Sequence, residues 1–150
     1  MKENVIFCYS GTGNCLDMAK NIAKSLGDTD IIMMRKYPAV TDVREAKRVG
    51  FIFPCYGGGL PGHVERYLHD IKVSPDAYTF GIAQCAAYKG EGLYKLNELI
   101  PLDYWRQCRT SAPASGSSRT TSCCLRWEPL RPRRDPSTSL RSSPATSRMR

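Results

Sequence analysis

A short glycine-containing segment, residues 10–15 (Ser-Gly-Thr-Gly-Asn-Cys), constrains the fold of this chain more than any other. It follows an uncharged, mostly apolar run at residues 4–9, which is typical of a strand buried on both faces. It precedes residues 16–26, where apolar side chains recur at helical spacing. Gly11 and Gly13 allow a sharp turn, and the free N–H groups at a helix start favour an anion. The segment therefore predicts a strand–loop–helix unit that binds a phosphate group.

Two common phosphate-binding motifs do not fit this loop. A Walker A loop ends in Gly-Lys-Ser/Thr, whereas Gly13 is followed here by Asn14 and Cys15. A dinucleotide-binding fingerprint needs a third glycine, where this sequence has Leu16. Two interpretations remain: a small phosphate site made of hydroxyl groups and backbone amides, or a Gly/Ser turn that binds nothing.

The pattern that follows, up to residue 100, alternates strands with helices. Strands are predicted at residues 30–34, 49–54 and 78–85, and helices at residues 63–71 and 91–100. This alternation predicts an α/β fold with a doubly wound parallel sheet covered by helices on both sides. Ligands bind such sheets beyond the carboxyl ends of the strands. The loops after the first, third and fourth strands are therefore expected to meet at one edge.

The loop after the third strand contains three consecutive glycines, residues 57–59, between Tyr56 and Leu60. Consecutive glycines lose much conformational entropy when they are ordered. We therefore expect a tight turn here, packed against a ligand or a neighbouring backbone.

With these loops in place, residues 3 to about 104 resemble the flavodoxin-like family, most closely the flavodoxin domains fused to a ferredoxin-like module with two iron–sulfur clusters. The matching motifs are Tyr-Ser-Gly-Thr-Gly-Asn at residues 9–14 and Pro-x-Tyr-Gly-Gly-Gly-Leu-Pro at residues 54–61. The resemblance implies a three-layer sandwich and FMN as the cofactor. It implies that the phosphate is held by Ser10, Gly11, Thr12, Gly13, Asn14 and Cys15, that the isoalloxazine is lined by Pro54, Tyr56, Gly57 and Gly58, and that its other side is closed by Gln84, Cys85 and Tyr88.

Two positions depart from the family's pattern. Cys15 stands where a serine or threonine is usual, and a thiol is a poorer donor to phosphate than a hydroxyl. Ala86 and Ala87 stand where the third loop is usually rich in glycine. Structural roles stay open for two residues: Tyr56 as a side chain that caps the sheet edge, and Cys85 as a small packed residue.

The net charge of +8 belongs to the C-terminal part of the chain. Residues 1–107 hold 13 Lys and Arg against 12 Asp and Glu, whereas residues 108–150 hold nine Arg and two acids. Residues 108–150 also lack Val, Ile, Phe, Tyr and Lys and are rich in Arg, Ser and Pro, which predicts a disordered tail. We therefore expect an incomplete domain at residues 1–107 that lacks the last strand and helix of its sheet. The fourth strand would then be an exposed edge that favours aggregation.

Two explanations of this tail are open. It is either the out-of-frame product of a reading-frame slip near Tyr104 or a genuine basic arm that binds nucleic acid through phosphate contacts. The arginines are scattered among prolines without an RGG or RS repeat, which argues against a nucleic-acid partner. The chain contains no Cys-x-x-Cys-x-x-Cys run, so the iron–sulfur module of the resembling family is not expected.

The remaining features concern the compartment. No apolar run is long enough to span a membrane, and the N-terminus enters a core strand without a signal peptide. Seven cysteines without a Cys-x-x-Cys pair indicate free thiols in a reducing compartment, which favours the cytoplasm. The two histidines, His63 and His69, are interpreted as surface residues, and no metal site is expected.

These features together predict an FMN-binding electron-transfer protein without a catalytic nucleophile or base. Redox proteins, such as ferredoxin-like or reductase domains, are its expected partners, and no membrane partner is expected. One alternative is an NAD(P)H-dependent flavin or quinone reductase on the same fold. The other is a non-catalytic module whose basic tail binds nucleic acid.

Overall fold

The computed structural model describes residues 2–35, 41–85 and 90–109. Five strands in these ranges form one parallel sheet: β1 (Asn4–Cys8), β2 (Thr29–Met33), β3 (Arg48–Pro54), β4 (Tyr78–Cys85) and β5 (Tyr104–Arg109). Three helices accompany them: α1 (Asn14–Leu26), α2 (Gly62–His69) and α3 (Gly92–Leu99). The strand order β2-β1-β3-β4-β5 is that of flavodoxin-like doubly wound sheets, so the predicted fold class is confirmed. None of the helices in the described ranges is both long and apolar enough to cross a bilayer.

Helices cover both faces of the sheet, and β1 contributes alternate side chains to each face. Val5 and Phe7 pack in the core that contains α2 and α3, while Ile6 and Cys8 pack in the core that contains α1. All four side chains are fully buried. Burial on both faces explains why β1 reads as a continuous apolar run instead of an alternating one.

The presence of β5 shows that the expectation of a missing last strand was wrong. Its residues pair with β4 from Phe80↔Tyr104 to Cys85↔Arg109, so β4 is an internal strand and the predicted exposed edge does not exist there. Along β5, Tyr104 is half-buried and Cys108 is buried, whereas Trp105 and Arg106 are exposed. β5 was not predicted from the sequence because this edge strand contains charged residues. The predicted disordered tail and the missing last helix fall on residues 110–150, which lie outside the described residues.

Thr79 anchors the connection from α3 to β5. Its Oγ1 donates to the carbonyl of Pro101 (2.6 Å), and its N–H donates to Oδ2 of Asp103 (2.8 Å). Thr79 is buried, so replacing its hydroxyl by a methyl group removes these hydrogen bonds from a buried position.

We therefore expect Thr79→Val to lower the free energy of unfolding by about 1–2 kcal/mol, measured by urea denaturation. The matched control is Thr29→Val, because the Oγ1 of Thr29 is buried without a hydrogen-bond partner among the described residues. That control is expected to be neutral or stabilising. Equal losses in the two variants would contradict the role of the Thr79 hydroxyl.

Candidate functional site

The loops after β1 and β3, and the described residues that lead from β4 into α3, meet at the carboxyl edge of the sheet. Tyr56, in the loop after β3, reaches the loop after β1: its hydroxyl lies 2.6 Å from the position that a Cβ atom on Gly11 would take. The loop after β3 also contacts the segment that leads from β4 into α3, where the N–H of Glu91 donates to the carbonyl of Gly58 (2.6 Å). These contacts bring the three predicted loops into one site.

The loop after β1 presents an uncapped helix N-terminus. Gly13 has a φ of 93°, and no side chain in the described part of the chain caps α1. The N–H of Gly13 donates to Ser10 Oγ (3.0 Å), and its carbonyl accepts the N–H of Asp17 (2.9 Å). The earlier N–H groups of α1 thus have no carbonyl partner within the helix, and they carry the positive end of its dipole. This loop can bind an anion.

Cys15 and Gln84 are buried behind this loop. The Cys15 thiol donates to Oε1 of Gln84 (3.1 Å), which joins α1 to β4. Burial raises the pKa of Cys15 to about 12, so the group stays a neutral thiol. The Nε2 atom of Gln84 is buried and has no partner among the described residues. The Cys15 side chain therefore faces the core, and an anion at this helix start would meet only its backbone N–H.

The loop after β3 begins with a two-residue turn. Tyr56 and Gly59 exchange two backbone hydrogen bonds, of 3.3 and 3.0 Å. Between them, Gly57 and Gly58 have φ angles of 58° and 80°. Positive φ at both central positions is the type I′ pattern, which glycine adopts without steric cost. The glycines thus form the tight turn that the sequence predicted, and it packs against a neighbouring backbone at Gly90.

Tyr9 and His63 support Tyr56, and neither was predicted as a site residue. The Tyr9 ring lies edge-on to Tyr56, with centroids 6.2 Å apart and an interplanar angle of 90°. His63 also packs against Tyr9, with ring centroids 4.0 Å apart. Burial, and then the charge of Arg66, lower the pKa of His63. His63 is half-buried, so it lies only partly on the surface, whereas His69 is exposed as expected. The sequence signal that could have identified Tyr9 as a site residue is its position directly before Ser10, at the start of the predicted phosphate-binding loop.

A cleft of about 320 Å³ lies between the glycine turn and α3. Tyr94, which lines this cleft, is 61% exposed and packs edge-on against Trp105 at a centroid distance of 4.6 Å. Lys95, also on this cleft, pairs with Glu65 at 2.9 Å. An exposed aromatic pair therefore lies beside the loop cluster. No sequence motif predicts this pair, because its members come from α3 and β5.

The other predicted site residues lie as follows. Pro54 ends β3, is half-buried and pairs with Gln84 across the sheet. Cys85 is buried, and its thiol donates to the carbonyl of Cys108 (3.6 Å), which fits a packed structural residue. Tyr88, with Ala86 and Ala87, lies outside the described residues. The described cysteines, Cys8, Cys15, Cys55, Cys85 and Cys108, are free thiols as predicted, while Cys123 and Cys124 lie outside the described ranges.

The fold and its loops thus define a class: doubly wound α/β proteins with a loop cluster at the carboxyl edge of the sheet. Comparison of the sequence with protein-family models finds no match, and comparison with curated proteins finds none either.

Proposed function

We propose that the carboxyl edge of this sheet binds FMN and that the protein transfers electrons. The observation that supports this most is the meeting of an uncapped helix N-terminus with a glycine turn, through the contact of Tyr56 with Gly11. The first element suits a phosphate group, and the second leaves room for a flat ring system beside an aromatic side chain. FMN carries both groups in one molecule.

The residues of the site fit this cofactor. The helix start offers backbone N–H groups to the phosphate, and the side chains of Ser10, Thr12 and Asn14 add donors beside them. Tyr56 is 52% exposed, so a ring can pack on it, and Gly57 and Gly58 let backbone groups approach the ring edge. When bound, FMN supplies one- and two-electron transfer, while the protein sets its position and surroundings.

The expected partners are redox proteins such as ferredoxin-like or reductase domains. The exposed pair Tyr94 and Trp105 favours a protein contact near the site, because aromatic residues are enriched in interfaces. The free thiols favour a reducing compartment, and we place the protein in the cytoplasm.

Titration with flavins tests the proposal. We expect the protein to quench FMN fluorescence with one-to-one stoichiometry, and to bind riboflavin about ten-fold or more weakly because riboflavin lacks the charged phosphate. Gly13→Ala forces a side chain into positive φ at the helix start, so it is expected to weaken FMN binding more than riboflavin binding.

Gly62→Ala is the matched control, because a Cβ atom there meets nothing within 4 Å. A protein that leaves the spectra of both flavins unchanged would refute FMN binding. Oxidation of NADPH by the flavin-loaded protein without a partner would favour the reductase alternative.

A further inference from the structure

We propose that Tyr9 is a positioning residue, which holds the Tyr56 side chain over the phosphate-binding loop. The inference rests on the proposed function, since it concerns the same site, but it assigns a role to a residue outside the predicted set. Tyr9 does not need to touch the ligand in this role; it acts through Tyr56.

Tyr9 is itself fixed on several sides. Its backbone N–H donates to the carbonyl of Ile52 (2.9 Å), which extends the pairing of β1 with β3 by one residue. Its ring contacts His63, at a centroid distance of 4.0 Å, and Tyr56, at 6.2 Å. A side chain packed in this way offers a rigid support at the start of the phosphate-binding loop.

Tyr56 needs such a support. With about half of its side chain in solvent, a tyrosine ordinarily samples several rotamers. Contacts with the ring of Tyr9 and with the backbone at Gly11 favour the rotamer that points to the loop. A side chain that is already ordered before binding loses less conformational entropy when the ligand binds.

The electrostatics agree with this geometry. Partial burial raises the pKa of Tyr56, and the phenol of Tyr9 raises it further through its charge and a hydrogen bond. The Tyr56 phenol therefore stays neutral at pH 7 and keeps its proton as a donor.

A double-mutant cycle with Tyr9→Phe and Tyr56→Phe tests the role. Tyr9→Phe keeps the ring contact with His63 and removes the hydroxyl. We expect it to raise the dissociation constant for FMN roughly 2- to 10-fold, the effect of one lost hydrogen bond, and to have no further effect in the Tyr56→Phe background. Tyr67→Phe is the control, because Tyr67 packs on Phe7 in the core and its hydroxyl has no partner among the described residues, and it is expected to leave the dissociation constant unchanged.

A second measurement uses the protein without flavin. NMR of protein labelled with ¹³C at the tyrosine Cζ follows the titration of each phenol, and Tyr9→Phe is expected to lower the pKa of Tyr56. An unchanged pKa, or an equal loss of affinity in both backgrounds, would overturn the positioning role. A wild-type protein that binds neither flavin would instead overturn the proposed function, so the two failures are distinguishable.

Discussion

Replacement of Gly90 by alanine is expected to lower the free energy of unfolding by about 3 kcal/mol and to abolish flavin binding. Gly90 is buried against the glycine turn. A Cβ atom on Gly90 would overlap the carbonyl oxygen, the carbonyl carbon and the Cα atom of Gly58. These are backbone atoms, so no side-chain rotation relieves the clash. The turn must move away from α3, and the hydrogen bond from Glu91 to Gly58 must break. Urea denaturation and FMN titration measure the two effects.

Gly62→Ala is the control for this substitution. Gly62 is the first residue of α2, its φ is not positive, and its surroundings are open. Alanine there is expected to be neutral or to stabilise the protein by up to about 1 kcal/mol. If Gly90→Ala unfolded at the same urea concentration as the wild type and still bound FMN, the loops after β3 and β4 would not be packed together, and the proposed site would lose one side.

The sheet could be predicted from sequence where burial is complete. β1 and residues 49–53 of β3 are buried, so they form uncharged runs that no solvent-facing helix would contain. β5 could not be found in this way. It pairs with only β4 in the described sheet, and its strand contains Arg106, Gln107 and Arg109. An edge strand keeps polar side chains, so its apolar signal is weak.

The meeting of the loops followed from a topological rule, because the carboxyl ends of parallel strands share one edge. The contacts inside the site did not follow from it. Cys15 and Gln84 lie 69 residues apart, and their hydrogen bond depends on how α1 packs on β4. The contact between His63 and Tyr9 likewise depends on how α2 packs over the end of β1. Sequence motifs predict where a ligand site lies, but packing between distant elements decides which side chains face it.

The second large effect is expected at alkaline pH: the protein should lose about 3 kcal/mol of stability between pH 7 and pH 10 from two buried thiols. Burial raises the pKa of Cys8 to about 12 from an ordinary value of 9.0. Burial, and then the nearby thiols of Cys8, Cys55 and Cys108, also raise the pKa of Cys15 to about 12. In the unfolded chain both thiols ionise near pH 9. Stability is therefore complete below about pH 9 and is lost as the pH rises towards 12.

The Cys8→Ala variant isolates one of these thiols. Each thiol contributes about 1.4 kcal/mol to the loss at pH 10, so removal of Cys8 should reduce the pH dependence by that amount although the variant is less stable at pH 7. Val5→Ala, at another fully buried position of β1, is expected to lose stability at every pH equally because it removes no titrating group. Urea denaturation at pH 7, 8, 9 and 10 with a reducing agent measures both. If Cys8→Ala kept the wild-type pH dependence, the Cys8 thiol would ionise as readily in the folded protein as in the unfolded chain, and the dry core between β1 and α1 would have to be open to water.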